Sequence, residues 1–392
     1  MLTPNSRSGH GARFADESVR RPRWRIPLVV SGLLLMGVAG LGLLWGWSAW
    51  TCSPQPKDSD ARTVVQVRIA RGMSLPAITD TLVQRGLLRH PHLFRLMARV
   101  TGSDRRLHAG RYAIPGGLAP RELLTRLIAG LTVPVRVMVP EGIEAEEAAS
   151  LIGATLGFSP SRFLTVADSL TRLGIAAKRF LSDPIRLAQH DSLLAESASQ
   201  TTRTLHWAEG YLAPDTYYFA EGTAALEVAR VMVTLGLARA DSVSALATLI
   251  PASPGLTTHE LVTLASLVEG EARLAAERSM IAAVYSNRLR KGWRLEADPC
   301  VAYILSKRGQ RLLYRDLEID SRYNTYQRIG LPPGPIGNPG LAALIAAARP
   351  DSSCHALFFV ADGIGGHVFS RTGAEHQEAV RRYRDHRREE NR

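Results

Sequence analysis

The sequence predicts an α+β fold in three parts: one membrane-spanning helix, a small α/β module and a larger mixed α+β domain. Three observations predict this organisation. Residues 26–50 form an uncharged apolar run, residues 63–140 alternate short strands with glycine turns and helices, and residues 141–385 combine long amphipathic helices with Pro- and Gly-rich loops. A chain of 392 residues is long enough for two or three domains.

The apolar run at residues 26–50 is long enough to cross a bilayer, for which about 20 residues suffice. Trp24, Trp45, Trp47 and Trp50 lie toward its ends, where indole rings favour the membrane–water interface. Arginines precede the run and mixed charges follow it, so we expect residues 1–25 to be a cytoplasmic basic tail and the remainder to lie outside. A cleaved signal peptide is the alternative, although the run is long for a signal core.

Charge and cysteine content exclude several classes of function. The formal charge of +12 lies largely at the two ends, including a basic tail at residues 386–392, and such ends are first solvated or membrane-facing. Because the predicted orientation removes the C-terminus from the cytoplasm, we expect no nucleic-acid partner. Cys52, Cys300 and Cys354 have no metal-ligand spacing, so no metal or cofactor is expected, and whether Cys300 and Cys354 pair stays open.

The small module follows a linker at residues 51–62 that is rich in Pro, Ser and charge. Its sequence repeats a short alternating strand, a glycine turn and a helical pattern three times, starting at residues 64, 111 and 133. Ser74 is a suitable N-cap and Pro120 suits a first helical turn. Units of this kind resemble LysM-like sugar-binding modules, and a purely structural spacer explains them equally well.

The larger domain begins with sequence of helical character and then an aromatic segment at residues 207–219. This segment carries five aromatic residues and a Pro-Asp turn containing Asp215, so it predicts either stacking on sugar rings or packing against the core. Residues 224–249 predict a long amphipathic helix that ends in a turn at residues 251–255.

Glu269 is the strongest candidate for a catalytic acid. Thr257 and Glu260 have the spacing of a capping box, which predicts a helix whose apolar face leads to Glu269. A carboxyl group held against apolar residues resists ionisation, and a general acid must be protonated near neutral pH. Glu271 points to nearly the opposite side, so we expect the two carboxylates to have different tasks. A surface ion pair between Glu269 and Arg273 is the alternative.

Several ordered segments resemble the endolytic murein transglycosylase family, also called MltG-like or YceG-like. They are residues 209–218 (EGYLAPDTYY), 262–271 (VTLASLVEGE), 276–289 (AERSMIAAVYSNRL), 292–303 (GWRLEADPCVAY), 323–326 (YNTY), 330–336 (GLPPGPI) and 358–369 (FFVADGIGGHVF). The chain departs from the common family residues at Gly270, Arg273, Glu296, Cys300 and Arg322.

The resemblance implies an enzyme of the bacterial cytoplasmic membrane with peptidoglycan glycan strands as substrate and peptidoglycan synthases as partners. The family cleaves the β-1,4 bond between N-acetylmuramic acid and N-acetylglucosamine, leaves 1,6-anhydro ends and terminates nascent strands. Its catalytic Glu falls on Glu269, with the substrate's C6 hydroxyl as nucleophile. The residues expected to bind substrate are Glu271, Glu296, Asp298, Tyr323, Asn324, Thr325, Tyr326, His367 and Asp215.

Two other functions stay open on the sequence alone. A muramidase-type hydrolase would use Glu269 as the acid and Asp298 as the base, since hydrolysis normally requires a second carboxylate. A membrane-anchored scaffold would bind peptidoglycan through the LysM-like module without chemistry.

Overall fold

A computed structural model describes residues 25–53, 63–178, 191–192, 204–249 and 255–390. Residues 1–24, most of the linker, residues 251–254 of the predicted turn and residues 391–392 of the predicted basic tail lie outside these residues. Residues 386–390 of that tail are helical. The described residues are about 54% helix and 10% strand, which confirms a mixed helix and sheet fold but not a LysM-like module. The chain forms two compact units, a smaller one and a larger one.

The N-terminal apolar run forms one helix, α1 (Arg25–Cys52), as predicted. It is the more hydrophobic of two described helices that are long and apolar enough to cross a membrane. The second is a helix of the larger unit, whose apolar residues are largely in its core. Length and composition therefore make α1 a candidate anchor or a signal sequence.

The smaller unit contains most of residues 63–131. Strands β1 (Val64–Ile69) and β2 (Gly110–Pro115) form a two-stranded sheet, and the helices are α2 (Leu75–Gln84), α3 (Pro91–Val100) and α4 (Pro120–Ile128). The side chain of Ser74 caps α2, as predicted, by accepting a hydrogen bond from the Ala77 amide. Helix α3 was not predicted, so the unit is not a simple strand–helix repeat.

The third predicted repeat belongs to a different sheet. Strand β3 (Val135–Val139) pairs antiparallel with β4 (Asp215–Phe219), with Val135 opposite Phe219 and Val139 opposite Asp215. Both strands belong to the larger unit, whereas the sequence placed residues up to 140 in the module. Helices α5 (Ala145–Leu156) and α6 (Pro160–Lys178) follow β3.

The larger unit is built around one buried helix, α8 (Thr258–Glu271). Its elements after β4 are α7 (Ala225–Thr248), α8, α9 (Arg278–Arg290), α10 (Asp298–Ile304), α11 (Leu341–Ala348), strands β5 (Phe358–Ala361) and β6 (His367–Ser370), and α12 (Gly373–Glu390). Helix α8 packs against α7, α9 and α11. A side chain at Gly236 of α7 would overlap the backbone of Tyr211, so this glycine permits α7 to approach the aromatic segment closely.

Candidate active site

Helix α8 begins where the capping box predicts. The Thr257 hydroxyl accepts a hydrogen bond from the Glu260 amide, and the Glu260 carboxylate accepts one from the Thr257 amide over 2.8 Å. Every side chain from residue 261 to residue 268 is buried. Glu269 and Glu271 are therefore the first charged groups at the C-terminal end of a core helix.

Glu269 is held in a network of contacts within the protein. It accepts hydrogen bonds from the Arg278 guanidinium and from the Gly340 amide, each over 3.1 Å, and its side chain is only 8% exposed. These contacts join the end of α8 to the starts of α9 and α11. The ion pair of Glu269 is therefore with Arg278, and not with Arg273 as the alternative interpretation of the sequence expected.

Glu271 lies at the junction of two adjoining clefts with volumes of about 560 and 510 Å³. Both clefts are lined by Gly270, Glu271, Arg273 and Asp298. The first is completed by Glu296, Tyr326 and the β5–β6 hairpin, and the second by α10 and residues 308–312. Glu269 is not among the residues that line either cleft.

The surroundings of Glu271 keep its carboxyl group protonated to an unusually high pH. Burial raises the pKa of Glu271 to about 7, and the nearby charge of Asp298 acts in the same direction. The Tyr285 hydroxyl, 3.1 Å from Oε1 of Glu271, and the Arg273 charge oppose this rise. A carboxyl group that titrates near pH 7 at a cleft can donate a proton and later take one back. The contacts thus favour Glu271 over Glu269 as the acid, and the assignment to Glu269 stays a prediction.

Asp298 and Tyr326 lie together in the wall of the first cleft. The Tyr326 hydroxyl donates a hydrogen bond to Oδ1 of Asp298 over 2.6 Å, and burial followed by this contact raises the pKa of Tyr326. Glu296 also lines this cleft and accepts a hydrogen bond from Arg288 over 3.0 Å. Asp298, Tyr326 and Glu296 therefore lie in the wall of this cleft, and their contact with substrate stays a prediction.

Three residues expected to line the groove are instead buried framework residues. Asn324 donates to the carbonyls of Leu317 and Ile319 over 2.8 Å each. The Thr325 hydroxyl accepts a hydrogen bond from the Ala297 amide, and the Tyr323 ring packs beside Tyr303 at 5.6 Å between centroids. Their burial corrects the interpretation as sugar contacts: they shape the loop that presents Tyr326.

His367 and Asp215 occupy different surroundings. Nδ1 of His367 lies 2.7 Å from Oε2 of Glu277, and the ring forms part of the first cleft's wall. Asp215 forms an ion pair with Arg239 over 2.6 Å and is not among the residues that line either cleft. The arrangement therefore supports a substrate contact for His367 and not for Asp215.

The aromatic segment is resolved in favour of core packing. Trp207, Tyr211, Tyr217 and Phe219 are buried in the core of the larger unit, and Tyr218 is exposed. The sequence interpretation missed several residues of the site, among them Arg273 as a cleft residue and Tyr285 as the partner of Glu271. Cys300 and Cys354 carry free thiols, which answers the open question of their pairing.

A protonatable carboxyl group at the junction of two open clefts is the arrangement that general-acid catalysis requires. The sequence profile of the YceG-like family matches residues 67–382, and the chain belongs to that family.

Two curated relatives and one solved structure agree with this assignment. The chain is 31% identical to the endolytic murein transglycosylase of Bacillus subtilis, covering 84% of this chain and 87% of the relative. It is 30% identical to that of Streptococcus pneumoniae, of which it spans 63%. A crystal structure of a YceG-like protein from Listeria monocytogenes matches with a TM-score of 0.51 and 28% identity, over 81% of this chain and 99% of that one. The chain is thus an enzyme, a lytic transglycosylase.

Proposed function

We propose that the protein cuts peptidoglycan glycan strands internally, with Glu271 as the single acid and base. The observation that carries this proposal is the position of Glu271 at the junction of the two clefts, with a pKa of about 7. The names of the curated relatives support murein as the substrate. Two clefts that meet at one carboxyl group suit a long chain that enters on one side of the reacting bond and leaves on the other.

The reaction that fits one carboxyl group is an intramolecular transfer. Glu271 gives its proton to the oxygen of the bond between N-acetylmuramic acid and N-acetylglucosamine as the C1–O bond breaks. The C6 hydroxyl oxygen of the same muramic acid then bonds to C1, and its proton returns to Glu271. The product is a 1,6-anhydro end, no water is consumed and the acid is regenerated.

Hydrolysis is the second candidate because Asp298 lines the same two clefts as Glu271. Two carboxylates near one bond could activate water or form a glycosyl intermediate. The products distinguish the two reactions, since hydrolysis leaves a free reducing end and transfer leaves an anhydro end.

The experiment is mass spectrometry of the products released from purified glycan strands, with matched carboxamide variants. General acid–base catalysis contributes about 10²–10⁴-fold, so Glu271→Gln should reduce the rate by at least that order. Glu269→Gln is the matched control on the same helix, and it should retain more activity in folded protein. Anhydro ends are expected from the wild type.

Three outcomes would contradict the proposal. Free reducing ends would establish the hydrolase. A loss of activity confined to Glu269→Gln would support Glu269 as the acid, as expected from the sequence. Full activity in both variants would show that neither Glu269 nor Glu271 is the catalytic acid.

The cellular setting follows from α1. We propose that α1 is retained as a single-pass anchor in the cytoplasmic membrane, with residues 1–24 in the cytoplasm and the clefts outside. This position would let the enzyme cut nascent strands close to peptidoglycan synthases and so terminate their elongation. The test is a reporter that works only in the cytoplasm, fused after Arg392. Detectable activity of this reporter would contradict the proposed orientation. Sugar binding by the smaller unit stays a prediction.

A further inference from the structure

The smaller unit carries an unusually one-sided charge. Its residues 63–67, 73–108 and 113–131 contain eight arginines and no lysine against two aspartates and one glutamate, a formal charge of +5. Most of these arginines are exposed. Of those on and near α3, only Arg95 forms a described ion pair, with Asp80. A solvated spacer needs no such excess, whereas an anionic surface is attracted by it.

Helix α3 adds an exposed apolar surface to this charge. Phe94, Met97 and Ala98 are buried in the unit. Leu93, Leu96 and Val100 recur at helical spacing on another side of the helix and are 38%, 50% and 73% exposed. His92 and Arg99 border these three residues on the helix surface, and Arg89 lies two residues before the start of the helix.

An apolar stripe bordered by cations is the pattern of helices that lie in a membrane interface. The apolar side chains enter the boundary between headgroups and acyl chains, while the guanidinium groups contact lipid phosphates. We infer that α3, with Arg89 and Arg99, docks the smaller unit on a bilayer surface rich in anionic phospholipid.

Chain connectivity places that surface within reach. Eleven residues separate the end of α1 at Cys52 from the start of β1 at Val64. Fully extended, they span at most about 40 Å. If α1 lies in the membrane, as proposed above, the unit cannot move farther than this tether from the headgroups. Docking would then hold the chain at a low and defined height above the bilayer.

The chemistry of the unit favours lipid over glycan as its partner. Sugar rings are usually bound on exposed aromatic faces, and the only Phe, Tyr or Trp residues between 63 and 131 are Phe94 and Tyr112. Both are buried, at 0% and 1% exposure. No exposed aromatic ring in this part of the described chain is therefore available to stack on a sugar.

The test uses the full chain reconstituted in vesicles through α1, with flotation confirming insertion. Leu96→Cys, in a background without Cys52, Cys300 and Cys354, carries an environment-sensitive fluorophore. In vesicles of phosphatidylcholine with phosphatidylglycerol, we expect a blue shift and quenching by brominated acyl chains. Both signals should be lost in phosphatidylcholine alone and at about 1 M salt, where the Debye length is about 3 Å.

Charge variants supply the matched comparison. The double variant Arg89→Gln and Arg99→Gln should lose the blue shift, whereas Arg121→Gln, an exposed arginine on α4, should retain most of it. Circular dichroism checks that each variant is folded. A shift that is absent with anionic lipid, or equal in both lipids, would overturn the inference. A shift produced by purified glycan strands and not by phosphatidylglycerol would overturn it in favour of sugar binding.

Discussion

The Tyr285 hydroxyl donates a hydrogen bond to Oε1 of Glu271 over 3.1 Å, which joins the middle of α9 to the last residue of α8. This bond favours the ionised carboxylate and so restrains the rise in the pKa of Glu271 that burial produces. Tyr285→Phe keeps the ring and its edge contact with Phe359 while removing the hydroxyl.

For Tyr285→Phe we expect the pKa of Glu271 to rise further, by up to about one unit. Activity on glycan strands should then persist to higher pH, with little change at pH 6. The measurement is the alkaline limb of kcat/KM against pH. A limb that moves to lower pH would show that the hydroxyl does not act through Glu271.

The pH dependence of the wild-type rate should itself report the raised pKa of Glu271. A general acid works while protonated, so the rate should fall as pH rises through the pKa of Glu271, about 7. An acid with an ordinary carboxyl pKa, near 4.3, would already be inactive at pH 6. A profile that declines between pH 4 and pH 5 would contradict the assignment.

Arg273 should shift the alkaline limb of the pH profile through its charge, because that charge acts on the pKa of Glu271. It lines both clefts, and its positive charge lowers the pKa of Glu271. Arg273→Gln should therefore extend activity to slightly higher pH, and high salt should reduce the difference from wild type. Arg315→Gln is the control, since Arg315 is exposed and lines neither cleft. Equal shifts in both variants would indicate a general charge effect.

Glu209 should be important for stability because its buried carboxylate connects three segments. It accepts hydrogen bonds from the Ala145 amide over 3.0 Å, from Asn338 over 3.1 Å and from the Tyr303 hydroxyl over 3.1 Å. In Glu209→Gln, the side-chain NH2 group replaces a carboxylate oxygen that accepts hydrogen bonds, so a buried donor faces other donors. The free energy of unfolding should fall by about 2–4 kcal/mol. Denaturant unfolding measures this, with the exposed Glu227→Gln as a control near zero. A loss below about 0.5 kcal/mol would contradict the account.

His259 should make stability depend on pH. Its Nδ1 lies 2.9 Å from the Tyr211 hydroxyl and its Nε2 lies 3.2 Å from the Pro333 carbonyl, so Nε2 carries the proton of the neutral ring. Burial lowers its pKa from 6.5 to about 4. The native state then binds fewer protons than the unfolded state between these values, so stability falls as pH decreases from 6.5 toward 4, by about 2–3 kcal/mol.

The His259 contribution is measured as a difference, because Glu271 acts with the opposite sign. Its native pKa is raised, so it destabilises the fold as pH rises from about 4.5 to 7. Comparing wild type with His259→Gln at pH 7 and pH 4.5 cancels that term. The variant should lose less stability than wild type on acidification, and parallel losses would be inconsistent with a buried neutral His259.

Local patterns predicted much of the fold correctly. The uncharged run predicted α1, the capping box of Thr257 and Glu260 predicted the start of α8, and amphipathic spacing predicted α7. These features depend on residues a few positions apart. Helix α3 was missed, and the partner of β3 was not identified, because strand pairing over 80 residues leaves no local signal.

The sequence by itself determined the membrane-compatible helix, the family resemblance and the core helix that ends in two carboxylates. Only the tertiary structure distinguished those carboxylates. Periodicity placed Glu269 beside apolar neighbours on its own helix, but Arg278 and Gly340 donate hydrogen bonds to its carboxylate from elsewhere in the chain. Glu271 is instead desolvated among residues of α9 and α10. A pKa depends on every group around the carboxyl, and those groups come together only when the chain is folded.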